Sequence, residues 1–137
     1  MPIRIRRADY FYATVEEEPD QAYDLLTQLA SLGINMLAFT ATPNGPERTQ
    51  FSLFPENAEQ LREAARKAGL TLDGPHRALL VQGDDELGAL ARIHSELHRA
   101  QVTVYASTGV TDGDGSFGYL LYLRSDDYEK AMKALAL

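Results

Sequence analysis

His94 and His98 stand at i and i+4 in the stretch His-Ser-Glu-Leu-His. On a helix that spacing puts both imidazoles on one face, where they could share a divalent metal. The order is not that of the zinc proteases, in which glutamate directly follows the first histidine; here Glu96 is third. Glu96 and His76 are the available third ligands, and two surface histidines flanking an apolar stripe explain the spacing without a metal. The run Asp112-Gly-Asp-Gly-Ser116 has the look of a calcium loop. Such a loop starting at Asp112 needs glycine at its sixth place and a bidentate glutamate at its twelfth, and Phe117 and Leu123 occupy those places. Glu16, Glu17 and Glu18 offer neighbouring carboxylates for acid–base work. Side chains leaving a strand alternate in direction, however, so the three cannot all reach one pocket. With no cysteine there is no thiolate nucleophile, thiolate metal site or disulfide. Nor is there a nucleophile–histidine–acid arrangement, a phosphate-binding glycine loop or a dinucleotide fingerprint. These residues predict no catalytic group and no bound metal or cofactor.

Charge narrows the partners. Thirteen basic against 20 acidic residues leave a net charge of −7 over 137 residues. Nucleic-acid affinity draws on basic side chains that displace counterions from phosphate, which an acidic chain supplies poorly. The basic residues that do cluster, Arg4, Arg6 and Arg7, form a short N-terminal patch, and solvated surface is the plain reading of it. Tyr10, Tyr12, Phe51, Phe54, Tyr119 and Tyr122 alternate as on a base-stacking sheet, but the accompanying basic surface is missing. No apolar run approaches the roughly 20 residues that cross a bilayer, and Met1-Pro-Ile-Arg-Ile-Arg-Arg7 has no apolar core of a signal peptide. The expectation is a cytoplasmic protein that binds neither nucleic acid nor membrane.

The elements that must position these residues are written twice. Sliding the chain on itself by 68 positions lays Tyr12-Ala13-Thr14 on Leu80-Val81-Gln82 and Leu25 and Leu29 on Ile93 and Leu97. The same shift lays Asn44-Gly45 on Asp112-Gly113 and Phe51-Ser52-Leu53 on Tyr119-Leu120-Leu121. A slip of one residue then matches Leu61, Ala64 and Ala65 to Tyr128, Ala131 and Met132. Apolar character, turn chemistry and order repeat together, as a duplication requires.

Each copy reads strand, helix, strand, strand, helix. In the first, residues 9–15 are aromatic and β-branched and predict a strand. Pro19 opens a helix carrying Ala22, Leu25, Leu26, Leu29 and Leu32 at helical spacing, and Gly33 stops it. Residues 34–41 and 49–54 form strands around Asn44-Gly45, a tight-hairpin dipeptide. A second helix presents Leu61, Ala64, Ala65 and Ala68, ends at Gly69, and leads to a short closing strand over 70–72. The second copy predicts strands at 77–82, 102–107 and 117–123, with the loop Asp112–Gly115 between the last two. Its helices run over 87–100, burying Leu90, Ile93 and Leu97, and from Asp127 onward, burying Tyr128, Ala131, Met132 and Leu135. Asp73-Gly74-Pro75-His76 reads as the joint, giving domains at 1–73 and 74–137. The second copy has no closing strand of its own. Ile3-Arg4-Ile5-Arg6 either supplies it from the other end of the chain, covering an open edge, or merely extends the first strand.

Val81-Gln-Gly-Asp-Asp-Glu-Leu-Gly88-Ala-Leu-Ala resembles the opening of the ACT domain, where a first strand meets an acidic or polar turn and then a glycine before an apolar helix. Leu29–Asn35 and Leu97–Thr103 resemble that family's passage from helix to second strand, so the resemblance covers both copies. It implies an α+β fold of two ferredoxin-like βαββαβ repeats, with antiparallel sheets and helices packed on one face. It also implies side-by-side association, often as a homodimer, with a small ligand such as an amino acid bound near the first turn at a domain interface. On that basis the ligand-binding residues are Asp84, Asp85, Leu87 and Gly88, with Asn35 from the first copy. Gly88 would admit a ligand close to the backbone, helix N–H groups would hold a carboxylate, and the aspartates would accept from an α-ammonium. Gly88 easing packing and the acids capping the helix is the alternative. In the first copy Asp20 stands where the shift puts Gly88, which predicts a weaker or structural site.

The expected function is a regulatory sensor of amino acids without catalytic activity, acting on a separate metabolic enzyme. A ligand-independent interaction module is the first rival, and a metal-dependent enzyme using His94 and His98 the second.

Overall fold

The structure, a computed structural model, describes residues 3–16, 21–43, 45–46 and 48–135. Two compact units partition the chain, one formed by Ala8–His76 and the other by Met1–Arg7 together with Arg77–Leu137. They are called here the first and second unit.

The first unit is built from β2 (Tyr10–Glu16), α1 (Gln21–Ser31), β3 (Met36–Pro43), β4 (Arg48–Pro55), α2 (Ala58–Ala68) and β5 (Asp73–His76). Its sheet has the order β3-β4-β2-β5 and is antiparallel throughout. Alternation along the strands sends Phe11, Ala13, Phe51 and Leu53 to one face, where Leu25 and Leu29 of α1 and Leu61 and Ala64 of α2 complete the core. Leu26 and Leu32, which share the helical spacing of Leu25 and Leu29, are exposed. The opposite sheet face carries Tyr10 and Phe54, stacked with centroids 5.0 Å apart. The ends of α2 follow from local chemistry: Asn57 caps it by accepting from the Gln60 N–H at 3.1 Å, and Gly69 ends it at φ 75°. The expected starts and turns at Pro19 and Asn44 lie outside the described residues.

The closing strand is displaced from its expected place. Leu70 and Leu72 pack against the core without joining the sheet, and the ladder to β2 forms at Asp73–His76, the stretch read as a joint. Pro75 is tolerated because β5 is an edge strand. Gly74 is required there. Its φ is 147°, and a Cβ would lie 2.8 Å from the Tyr10 carbonyl oxygen.

The second unit comprises β1 (Arg4–Arg7), β6 (Ala78–Asp84), α3 (Ala89–Arg99), β7 (Val104–Thr111), β8 (Ser116–Leu123) and, after a 3₁₀ turn at Ser125–Asp127, α4 (Tyr128–Leu135). Its antiparallel sheet runs β1-β6-β8-β7. The N-terminal segment thus supplies the closing strand that the second copy lacks, with Arg4 opposite Gln82 and Arg7 opposite Leu79. Ile3 and Ile5 pack on the core made by Leu79, Val81, Tyr119, Leu121 and Leu123 of the sheet with Ile93, Leu97, Tyr128, Ala131 and Leu135 of the helices. Met132 is only half-buried against it. The compact units part between His76 and Arg77, and β1 belongs to the second unit. Each unit is a ferredoxin-like βαββαβ arrangement with its helices on one face of the sheet.

Candidate functional site

The β6–α3 turn runs Asp85-Glu86-Leu87-Gly88 and delivers the chain into α3 at Ala89. Gly88 is the N-cap residue, at φ 82° and ψ 6°, and no side chain caps the helix. Its carbonyl accepts the first helical bond from the Arg92 N–H at 3.0 Å, and the Asp85 N–H is anchored to the Gly115 carbonyl at 2.8 Å. The Ala89 N–H is taken by the Glu86 carbonyl at 3.1 Å, so it is the later N–H groups of the first turn, at the positive end of the helix dipole, that are left for an acceptor. A Cβ built at Gly88 would meet nothing within 4 Å, so open space adjoins the backbone at this point.

That space belongs to an open groove of about 680 Å³. One wall is the turn with the first residues of α3, Ala89 to Ala91. The other is the end of β7, Gly109-Val110-Thr111, and Phe117 and Gly118 of β8 complete the lining. Leu90, predicted as buried, is 43% exposed and forms part of the wall, while Ala89 takes the buried place. Leu87 precedes the helix and is fully exposed at the groove. Glu86 at the same end is tied to Arg92 at 3.3 Å, leaving Asp85 as the carboxylate without a cation against it among the described residues.

The two walls are fastened to each other beyond the groove. The Tyr119 hydroxyl shares a 2.6 Å hydrogen bond with Nε2 of His94, on α3, and donates to Oγ of Ser107, on β7, at 2.9 Å. Tyr119 reaches that position across its strand partner Gly109, where a Cβ would stand 3.0 Å from the ring. One hydroxyl therefore joins α3, β8 and β7 and fixes the spacing of helix and edge strand. His94 is engaged in this tie, and among the described residues no three His, Asp or Glu side chains converge at metal-binding distance. Asp112 closes the β7–β8 hairpin, its Oδ1 accepting from the N–H groups of Asp114 at 2.7 Å and Ser116 at 3.1 Å. Those two bonds hold its carboxyl below the usual aspartate range.

Of the residues the sequence singled out, Asp85, Leu87 and Gly88 line the groove together. Asp84 ends β6 opposite Ser116 and lines a neighbouring cleft of about 20 Å³ with Ile3 and Arg92. Asn35 belongs to the first unit, where its side-chain amide donates to the Glu56 carboxylate at 2.7 Å. Of the first-copy turn, Glu17 to Asp20 lie outside the described residues. Sequence reading missed the β7 wall and its backing in β8. A signal existed, because Gly109 and Gly118 interrupt two strands, and glycine inside a strand marks a close approach. The first unit lacks both: Ala41 faces Phe51 where Gly109 faces Tyr119, and Gln50 faces Thr42 where Gly118 faces Val110.

The chain is similar in structure to a protein of Bacteroides thetaiotaomicron, at 14% identity and TM-score 0.80, covering 96% of this chain and 88% of that one. It is also similar to the regulatory subunit of aspartate kinase from Thermus thermophilus in its ligand-free form, at 14% identity and TM-score 0.68, covering 98% and 95%. The corresponding subunit from Thermus flavus gives 13% identity and TM-score 0.59 over the same shares. No protein-family model and no curated protein matches the sequence. These likenesses establish the fold as two ACT-like repeats in tandem.

Proposed function

We propose that the protein is a non-catalytic regulatory sensor that binds an amino acid in the groove between the β6–α3 turn and β7. The observation that carries this reading is the uncapped start of α3 at Gly88, opening onto a groove large enough for a small metabolite. First-turn N–H groups of α3 would receive the ligand carboxylate, and Asp85 its α-ammonium. Asp84, one residue back at the mouth of the neighbouring cleft, adds negative charge on the ammonium side, and Asn35 would belong to a lesser site in the first unit. Binding acts by its different affinity for two conformational or assembly states. Two of the similar structures are named as regulatory subunits of aspartate kinase, which supports a separate metabolic enzyme as the regulated partner of this cytoplasmic protein.

Thermal unfolding against the twenty amino acids tests the proposal. A ligand at about 100 times its Kd stabilises by about 2.7 kcal/mol, a shift of several degrees. A shift restricted to one chemical group of amino acids is expected, and no shift from any of them would overturn the reading.

A second reading, association independent of ligand, is favoured by β7. This edge strand, Val-Tyr-Ala-Ser-Thr-Gly-Val-Thr, carries no charge or proline, and Tyr105 and Val110 are exposed on it. Natural edges are usually guarded against pairing, as β1 is by its three arginines. Homodimerisation through β7 follows on either reading. Only the second predicts that no amino acid alters it.

A further inference from the structure

Among the described residues of the first unit, three large apolar side chains are exposed: Tyr23 at 70%, Leu26 at 41% and Leu32 at 38%. All three belong to α1 or to the turn that ends it. Tyr23, Leu26 and Ala30 recur at i, i+3 and i+7 and share one helix face with Thr27, a face that is exposed at each of these positions and holds no charge. It borders the buried pair Leu25 and Leu29, while Asp24, Gln28 and Ser31 take the opposite flank. The apolar arc of α1 is therefore wider than its own core covers. The fold does not require this. The shift of 68 lays Tyr23, Leu26, Thr27 and Ala30 on Ala91, His94, Ser95 and His98, and there His94 is bound to the Tyr119 hydroxyl. We infer that this face of α1 docks a separate protein whose matching surface is basic around an apolar anchor. The inference stands apart from what the groove of the second unit binds.

Charge selects the occupant. The first unit holds 11 acidic and four basic residues and the second nine of each, so the whole net charge of −7 lies on the first unit. From Ala8 to Glu47 there are seven carboxylates and no lysine, arginine or histidine. Helix α1 itself has Asp24 in its first turn and no basic residue in its last. Of the four cations that the unit does have, Arg62 and Arg66 are paired with Glu59 and Glu63 on α2. A second copy laid on the same face would set carboxylate against carboxylate. Nucleic-acid phosphate and anionic lipid are repelled for the same reason. A protein surface with lysine or arginine around a leucine or aromatic side chain gains on both counts. It buries the anchor against Tyr23 and Leu26, and its rim is attracted by the acidic surround.

The probe is a designed amphipathic helical peptide of leucine and lysine, titrated into the full chain and followed by amide chemical shifts. Shifts are expected to concentrate at residues 23–32, and binding should weaken as salt is added. The double variant Tyr23→Ser/Leu26→Ser should lose roughly tenfold or more in affinity. Both positions are exposed, so an unchanged melting temperature is expected to accompany the loss. Asp24→Lys, which leaves the apolar anchors in place, should weaken the peptide severalfold. Tyr105→Ser, which removes an exposed aromatic from the second unit, should leave the affinity as it was. A counterpart peptide with glutamate for lysine binding equally well would overturn the charge assignment. Undiminished affinity in the double variant, or shifts centred outside α1, would overturn the docking face. A native dimer in sedimentation that the double variant dissociates would give the face to a second copy and overturn the separate partner.

Discussion

Gly88 combines two demands on one position. Its φ of 82° lies where a side chain costs about 1 kcal/mol, and its missing Cβ leaves the backbone open to the groove. Gly88→Ala and Gly88→Asp should therefore both melt a few degrees below the native protein by calorimetry. Only Gly88→Asp should lose amino-acid binding, because it sets a carboxylate beside the ligand's own. Equal affinity in Gly88→Asp and the native chain would move the site elsewhere. The sequence pointed to this residue through the resemblance of Val81–Ala91 to the opening of the ACT domain, in which a glycine precedes an apolar helix. It did not reveal Val110 or Thr111, ordinary strand residues whose role depends on where β7 passes α3. Nor did it reveal that Leu90 is exposed. At helical spacing Leu90 is indistinguishable from Ile93, which is 1% exposed, and the sheet beneath decides between them.

Among the elements, helix ends and hairpins were readable where one residue type governs them, as at Gly33, Gly69 and the loop Asp112–Gly115. Strand ends were not. The closing strand of the first unit passes over the apolar Leu70 and Leu72 and forms at Asp-Gly-Pro-His, because pairing with β2 is set by register and not by strand propensity. The β7–β8 hairpin offers a test in which charge matters. Asp112 has a lowered native pKa, so its contribution is present above the ordinary aspartate value, about 3.9, and fades as pH falls through the native one. Asp112→Asn should unfold below the native protein at pH 6, with the gap narrowing toward pH 3. A gap that is constant with pH, followed by calorimetry, would mean that the carboxylate charge contributes nothing to the hairpin.

At the scale of the whole molecule the duplication was legible and the exchange of β1 was one of two open outcomes. Nothing local in Ile-Arg-Ile-Arg distinguishes a strand that extends its neighbour from one that pairs with β6. Removing residues 1–7 should bare the β6 edge and strip Ile3 and Ile5 from the core of the second unit. Amide exchange should then quicken in Leu79–Gln82 while β2 and β4 keep their protection, and the shortened chain should aggregate more readily. Unchanged exchange in Leu79–Gln82 would show that β1 contributes nothing to that sheet.

The exchange also orders events in time. Arg4 leaves the ribosome long before Gln82, so β1 has no partner while the whole of Ala8–His76 is being made. At about 5–20 residues per second the wait is on the order of several seconds, far longer than a small domain needs to fold. The inserted unit can reach its native state first, and the enclosing unit is sealed only after β6 and β8 have emerged, by a segment made before either.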